Sequence, residues 1–170
     1  ANLPSKDSGV RYRLEGYLFP ATYNYGKDTT VKEMIDQMLA AMDQNLTPYY
    51  ETLESKNINV NEVLTLASLV EKEGATDQDR KDIASVFYNR LNQDMPLQSN
   101  IAILYAEGKL GQKTTLKEDA TIDTELDSPY NIYKNTGLMP GPVDNPGVSA
   151  IEAAVNPSKT DYLYFVANVE

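Results

Sequence analysis

Hydrophobic residues recur at helical spacing in the first third of the chain. Between residues 31 and 42 they occupy positions i, i+3, i+4, i+7, i+8 and i+11, which is one face of an α-helix. Thr30 and Glu33 have the spacing of a capping box at its start. Thr47-Pro48 predicts the start of a second, shorter helix, because proline at the first helical position loses no hydrogen bond.

A third helix is predicted over residues 62–73, where the sequence is almost continuously apolar. Asn61 is the expected N-cap, since its side chain can accept a hydrogen bond from the first turn. Gly74 is expected to end the helix in a left-handed conformation, which glycine adopts without steric cost.

Two more helices follow before the pattern changes. Thr76 is the expected cap of a helix over residues 77–92. A short helix over residues 101–107 ends at Gly108, and Asn100 is a candidate cap for it.

The rest of the chain mixes turns with short elements. Residues 11–25 are read as extended segments and turns, and residues 111–147 as a long loop kept in order by its aromatic and leucine side chains. A last helix over residues 149–155 precedes a buried strand over residues 162–166. The predicted fold class is therefore α+β, mostly α, with a small β element and a long ordered loop.

Composition narrows the possible chemistry. The chain has 170 residues and a net charge of −10, with only 15 Lys and Arg, which argues against a nucleic-acid partner. It contains no Cys and no His, so thiol nucleophiles, Ser-His-Asp arrangements and the common zinc sites are excluded. Proton transfer is left to Asp, Glu, Lys or Tyr. No metal and no cofactor is expected.

Glu73 is the most informative single residue. Val63, Leu66, Val70 and Glu73 are spaced 3, 4 and 3, so they form one helical stripe that is apolar until its last member. Burial and the negative end of the helix dipole both raise the pKa of a carboxyl placed there, as a glycosidase general acid requires. Glu71 belongs to the neighbouring stripe and is a weaker candidate. Periodicity alone favours the plainer interpretation, in which both are solvated residues of an ordinary helix end.

Uncharged polar side chains form a second group of candidates. The segment Gln98-Ser99-Asn100 lies between two predicted helices, and Tyr130-Asn131 lies in the long loop. Amides at such turns can orient sugar hydroxyls or N-acetyl groups, but they also commonly cap helices. Twelve Tyr against three Phe suit the binding of sugar rings, although each Tyr can equally fill a half-buried core.

Eight segments carry a resemblance to a known family, and they cover nearly the whole chain from residue 14 onward. They are Glu15-Gly16-Tyr17-Leu18-Phe19-Pro20, Leu66-Ala67-Ser68-Leu69-Val70-Glu71-Lys72-Glu73, Val86-Phe87-Tyr88-Asn89-Arg90-Leu91, Leu97-Gln98-Ser99-Asn100, Ser128-Pro129-Tyr130-Asn131-Ile132-Tyr133, Gly137-Leu138-Met139-Pro140-Gly141-Pro142, Asn156-Pro157 and Tyr162-Leu163-Tyr164-Phe165-Val166-Ala167. In this order they resemble the YceG-like endolytic murein transglycosylases, and most closely the streptococcal members.

The resemblance implies a catalytic domain with a lysozyme- or transglycosylase-like fold over residues 14–170, after a linker over residues 1–13. It implies cleavage of the β-1,4 bond between N-acetylmuramic acid and N-acetylglucosamine within murein glycan strands, leaving a 1,6-anhydromuramic end. Glu73 corresponds to the family's catalytic Glu, and Glu71 joins Gln98, Ser99, Asn100, Tyr130 and Asn131 as an expected substrate contact.

The family pattern also extends beyond this chain. Its N-terminal membrane anchor and small LysM-like region would precede the chain, and a short His-containing segment would follow it. We therefore expect a catalytic domain on the outer side of the cell membrane, acting with cell-wall synthases, and truncated at its C-terminus. Other interpretations remain open: a lysozyme-type hydrolase using Asp94 or Asp123 as second acid, a non-catalytic glycan-binding module, or an interaction domain.

Overall fold

A computed structural model describes residues 3–111 and 122–166 of the chain. Its helices are α1 (Val31–Leu46), a 3₁₀ turn (Thr47–Tyr49), α2 (Tyr50–Ser55), α3 (Val60–Glu73), α4 (Asp77–Asn92), α5 (Asn100–Ala106) and α6 (Val148–Val155). The predicted mostly helical architecture is confirmed. Among the described residues there is no strand, and no helix is long and apolar enough to cross a membrane.

Helix α3 forms the centre of the hydrophobic core. Every residue from 63 to 70 is buried, and α3 packs chiefly against α6 and α4. Helix α6 contributes the small side chains of Ala150, Ala153 and Ala154, all fully buried, which allow its backbone to approach α3 and α4 closely. The buried middle of α3 is therefore closely packed by the neighbouring helices.

The start of α3 differs from the prediction. Its N-cap is Asn59, whose side chain accepts a hydrogen bond from the backbone of Glu62, so the helix begins at Val60. Asn61 does not cap the helix. Its side chain accepts a hydrogen bond from the Tyr17 hydroxyl and donates one to the Pro140 carbonyl, tying two loops to α3. Asn59 and Asn61 could each cap α3, and the tertiary contacts of Asn61 leave the capping position to Asn59.

The end of α3 also differs from the prediction. Gly74 has φ −97° and ψ 134°, an extended conformation open to any residue, so the expected left-handed ending is wrong. Glycine is required for a different reason: a Cβ atom at Gly74 would lie 2.6 Å from Cγ and 3.1 Å from the backbone nitrogen of Arg80. The close turn from α3 into α4 depends on this missing side chain.

Most other helix boundaries follow the sequence. The capping boxes at Thr30 and Thr76 are both formed, and α4 spans the predicted residues 77–92. Helix α5 begins one residue earlier than predicted, so Asn100 is its first residue and not its cap. Gly108 follows α5 with φ 71°, as expected of a left-handed glycine after a helix.

The predicted strand over residues 162–166 is not found. The segment is extended, but no described strand pairs with it, and α4 side chains bind its carbonyl groups instead: Asn89 Nδ2 donates to Tyr162 O and Arg90 Nε to Leu163 O. Phe165 turns inward against Phe87, whereas Val166 is 95% exposed, so one face of the segment is partly buried and the predicted burial of a strand is not found. Alternating side chains gave the sequence the appearance of a strand.

The beginning of the chain lies against the domain. Residues 1–13 were predicted to be a linker; among those that the structure describes, Leu3 packs against the core and Val10 contacts Gly141 closely. Gly16 approaches Pro142 even more closely, since a Cβ atom at Gly16 would lie 2.2 Å from Pro142 Cγ. Two of the segments that carry the family resemblance are thus in direct contact.

Candidate active site

Glu73, the last residue of α3, lines a hollow of about 550 Å³. The apolar stripe predicted from the sequence is present: Val63 and Val70 are fully buried and Leu66 is 1% exposed. Because these side chains pack into the core, the same helical face brings the Glu73 carboxyl to the inner wall of the hollow. Glu73 is itself only partly exposed.

The environment of Glu73 shifts its proton affinity in the predicted direction. Burial raises the pKa of Glu73, since the charged carboxylate loses solvation, while the hydrogen bond from Ser99 acts in the opposite sense and lowers it. Burial is the larger effect. The carboxyl is therefore held in its acid form to higher pH than an exposed Glu.

Ser99 holds one oxygen of this carboxyl. Its hydroxyl donates a hydrogen bond of 2.7 Å to Glu73 Oε1, and the Ser99 side chain is only 3% exposed. Ser99 is also the residue at the N-cap position of α5, but it makes no capping hydrogen bond. Because Oε1 accepts from Ser99, the proton of the acid form belongs on Oε2.

The hollow combines polar and apolar walls. Besides Glu73 it is lined by Val86, Arg90, Leu97, Gln98, Asn100, Ile101, Leu104, Lys109, Leu110, Gly111, Leu163, Tyr164 and Phe165. A few polar groups converge on a largely apolar surface, which is the usual composition of a ligand site. Two of the predicted contacts, Gln98 and Asn100, are thus brought together with Glu73.

A second hollow adjoins the first at the same carboxyl. It has a volume of about 410 Å³ and shares Glu73 and Phe165 with the larger hollow. Its other walls come from the start of α4 and from the extended segment after α6, including Tyr162. Glu73 therefore lies between the two hollows, on a wall of each.

Gln98 has an unusual backbone conformation at the edge of the larger hollow. Its φ is 57°, a left-handed value that residues other than glycine seldom adopt. The Gln98 N–H donates to the Ile132 carbonyl at 3.0 Å, which anchors this conformation to the long loop. The side chain remains exposed. Such local strain is common at binding sites.

The long loop reaches the site through Tyr133. The Tyr133 hydroxyl donates to Asn100 Oδ1, and the pKa of Tyr133 is raised first by burial and then by the charge of Glu73. Tyr130 and Asn131 are both buried instead of lining the hollow. The part of the predicted loop at residues 112–121 lies outside the described residues.

Asn131 organises the loop from inside. Its Nδ2 donates to the carbonyls of Thr124 and Leu126, while its Oδ1 accepts from the backbone of Tyr133 and Lys134. Tyr130 packs against the ring of Tyr105 with 4.9 Å between centroids. Both residues position the loop that carries Tyr133, and their side chains do not line the hollow beside Glu73.

Comparison with known proteins assigns the chain to a family. A model of the YceG-like family matches residues 2–170. The chain belongs to the YceG-like family. An endolytic murein transglycosylase of Streptococcus pneumoniae serotype 2 (strain D39 / NCTC 7466) is 70% identical to it over 168 residues, and one of Bacillus subtilis (strain 168) is 46% identical over 162 residues. The expected resemblance to streptococcal members is confirmed.

The chain corresponds to only a part of these YceG-like proteins. The matches cover 99% of this chain but 30% of the streptococcal protein, and 95% of this chain but 44% of the Bacillus protein. The crystal structure of a putative yceG-like protein from Listeria monocytogenes has a TM-score of 0.85 at 48% identity, covering 96% of this chain and 52% of that one.

Glu71 lies elsewhere in this YceG-like domain. It does not line either of the hollows that meet at Glu73. Its charge instead contributes to raising the pKa of Asp144, and its Oε1 would lie 3.8 Å from a Cβ atom at Gly147. The two acids of the Glu-Lys-Glu segment therefore face different surroundings.

The acids considered as partners for Glu73 are also placed elsewhere. Asp94 and Asp123 line neither of the hollows that meet at Glu73, and Asp123 accepts a hydrogen bond from the backbone of Glu125. Asp79 and Asp82 do line the smaller hollow. Asp79 is occupied by the capping box of α4, and Asp82 accepts from Gln78 and Ser158.

Arg90 and the segment over residues 163–165 are the wall residues that sequence reasoning missed. Arg90 is 6% exposed and donates to the carbonyls of Leu163 and Pro96, which joins two walls of the hollow through one guanidinium. The same guanidinium lies 4.9 Å from the centre of the Tyr164 ring. The only signal in the sequence was the position of Arg90 in the Tyr-Asn-Arg-Leu segment of α4. An arginine at that position is by itself a plausible exposed helix residue.

Glu73→Gln is expected to stabilise the domain at alkaline pH. Burial raises the pKa of Glu73 in the folded state above its unfolded value, so the folded state binds this proton more tightly. The resulting stability is complete below the unfolded pKa and is lost as the pH rises through the folded pKa. Thermal unfolding should therefore show a higher Tm for Glu73→Gln than for wild type at pH 8, and no difference below about pH 4. A wild-type advantage at pH 8 would contradict the assigned burial.

Proposed function

We propose that this domain is an endolytic murein transglycosylase. It would cleave the β-1,4 bond between N-acetylmuramic acid and N-acetylglucosamine within glycan strands and leave a 1,6-anhydromuramic end. The observation that carries the proposal is the buried Glu73 carboxyl, held by Ser99 where two hollows meet. The YceG-like relatives named endolytic murein transglycosylases support the same activity.

Glu73 would act first as acid and then as base. In its protonated form it gives the Oε2 proton to the glycosidic oxygen as the bond from that oxygen to C1 of the muramic ring breaks. The Glu73 carboxylate then takes the proton of the muramic 6-hydroxyl while that oxygen bonds to C1. The attack is within one molecule, so no water has to be positioned and proximity lowers the barrier. The carboxyl ends the cycle protonated, as it began.

Neighbouring residues would stabilise the protonated and the ionised state of Glu73. Ser99 stabilises the carboxylate by a hydrogen bond that strengthens when the acceptor is charged. Tyr133 and Asn100 are linked to each other beside Glu73, and the exposed amide of Gln98 is free to contact an N-acetyl group. Tyr130 and Asn131 are assigned a supporting role, because they hold the loop that carries Tyr133.

A hydrolase of lysozyme type is the second candidate function. It is favoured by one observation, namely that Asp79 and Asp82 line the smaller hollow together with Glu73. A second carboxylate could position water, as in other glycosidases. Both of these carboxylates already accept hydrogen bonds within α4 or from Ser158, which favours the single-acid mechanism.

Further properties of the whole protein belong to the same proposal. We propose that the domain is lysozyme-like in presenting a carboxylic acid at the end of a buried helix. We also propose that the complete protein is anchored in the cell membrane with this domain outside, and that it works beside cell-wall synthases. A glycan substrate in the wall requires the catalytic domain to be on that side.

Digestion of purified glycan strands tests the activity. We expect the mean strand length to fall early, because an endolytic enzyme cuts internally, and every new muramic end to be lighter than a reducing end by one water. Mass spectrometry of the digested strands measures both. Strands that stay intact would reject catalysis, while ends with the mass of a reducing sugar would establish the hydrolase.

A further inference from the structure

A third hollow adjoins the one that contains Glu73. It has a volume of about 310 Å³ and shares Leu110 and Gly111 with the larger hollow. Lys72, the residue before Glu73, lines this third hollow, and Asp144 lies across from it. The larger hollow therefore shares walls with both of the others: Glu73 and Phe165 lie between it and the smaller hollow, and residues 110–111 lie between it and the third.

Ionisable groups of both signs line the third hollow. Arg11 and Lys72 are cationic, and Glu15 and Asp144 are acidic. The Tyr105 hydroxyl donates to Glu15, and Arg11 donates to the carbonyl of Tyr105, so part of this polar surface is already paired. A polar surface with groups of both signs favours a neutral ligand rich in hydroxyl or amide groups over an ion of either sign.

Asp144 has hydrogen-bonding capacity that the described residues leave unused. Its Oδ1 atom is buried without a hydrogen-bond partner in the part of the chain that the structure describes. Its Oδ2 atom lies 3.7 Å from Lys72 Nζ. Burial, opposed by Lys72, raises the pKa of Asp144 to about 7. The Asp144 side chain is still 17% exposed and lines the third hollow, so a ligand bound there can contact it.

Tyr12 adds an aromatic surface at the rim. Its side chain is 59% exposed and lines the third hollow. The Arg11 guanidinium lies 5.5 Å from the ring centres of both Tyr12 and Tyr105, which holds Tyr12 beside the hollow. A flat apolar ring next to hydrogen-bonding groups is the surface that sugar rings prefer.

We infer that the third hollow is a remote saccharide subsite, in which Tyr12 stacks on a sugar ring and Asp144 hydrogen-bonds to its hydroxyl or amide groups. The inference rests on the proposed function for the identity of the strand. It deepens that proposal, because a strand that passes Glu73 and continues over residues 110–111 reaches this hollow with a unit distant from the cut. Affinity should therefore increase with strand length beyond what the hollows beside Glu73 provide.

Binding by an inactive protein tests this inference separately from catalysis. Calorimetric titration of Glu73→Gln with peptide-free murein strands of increasing length should show Kd falling with length. Adding Tyr12→Ala or Asp144→Asn should weaken binding of the longer strands by about 3–10-fold, the value of one lost hydrogen bond or contact, and leave the shortest strands unchanged. Asp28→Asn, at an exposed position away from the hollow, is the matched control.

The results that would contradict the saccharide subsite differ from those that would contradict the proposed function. Equal Kd values in all variants at every length would overturn the subsite, as would a loss of affinity that is the same for short and long strands. A length dependence seen only with strands that retain their peptides would assign the hollow to the peptide and also reject the inference. Tight binding by a wild-type protein that does not cleave would reject the proposed function and leave this inference standing.

Discussion

Glu73→Gln lowers the rate of strand cleavage by about 10²–10⁴-fold, the usual contribution of a general acid–base group. Gln has the shape of Glu and can still accept the hydrogen bond from Ser99, but it has no proton to give to the glycosidic oxygen. Because the same group serves both half-reactions, no other residue restores the second step. The rate is measured from new chain ends in wild type and variant under equal conditions.

Glu71→Gln is the matched control for this result. It removes the same functional group two residues away, on a side chain that lines neither hollow beside Glu73. We expect its cleavage rate to stay within about threefold of wild type, because the change keeps the shape of the side chain and removes no group from either hollow. Loss of activity in Glu71→Gln with retention in Glu73→Gln would transfer the catalytic role to Glu71.

Ser99→Ala lowers the rate by about tenfold or more and moves its pH dependence. The hydrogen bond from Ser99 lowers the pKa of Glu73, so its removal raises that pKa further. The active form is the protonated acid, and activity falls as the pH rises through its pKa. The alkaline limb of kcat/KM should therefore move to higher pH in Ser99→Ala, while loss of carboxylate stabilisation accounts for the lower rate.

Ser99→Thr keeps the hydroxyl and is expected to restore the wild-type position of that limb. The other charged or titratable groups around Glu73 are unchanged in both variants; they are Tyr133, Arg90, Lys109, Asp79 and Asp82. A purely structural role for Ser99 would lower the rate in Ser99→Ala and leave the limb where it is in wild type. That outcome would show that Ser99 does not control the protonation of Glu73.

Features set by local sequence could be predicted. The capping box at Thr30 and the N-cap at Thr76 depend on residues within one turn of the helix start, and helix α4 has the predicted bounds. The stripe that ends at Glu73 followed from periodicity, although periodicity alone did not place Glu73; once the stripe is buried, it carries its last member to the core side of the helix. The direction of its pKa shift followed from the same fact.

Features set by tertiary contacts could not be predicted. The sequence allowed Asn61 to cap α3, but its side chain hydrogen-bonds to Tyr17 and Pro140 instead. The need for glycine at position 74 is explained only by the close approach of Arg80. Tyr133 and Asn131 are two residues apart, yet one faces Glu73 and the other is buried. The walls formed by Arg90 and residues 163–165 join segments that are far apart in sequence.

The source of the oxygen at the new muramic end tests the central claim most directly. Strands digested in water enriched in heavy oxygen are analysed by mass spectrometry, with a muramidase digest as the positive control for labelling. Because the muramic 6-hydroxyl is the nucleophile and Glu73 moves only protons, the new ends should be anhydro sugars without label. Incorporation of one heavy oxygen at each new muramic end would mean that water attacks C1, and the single-residue transglycosylase mechanism would be wrong.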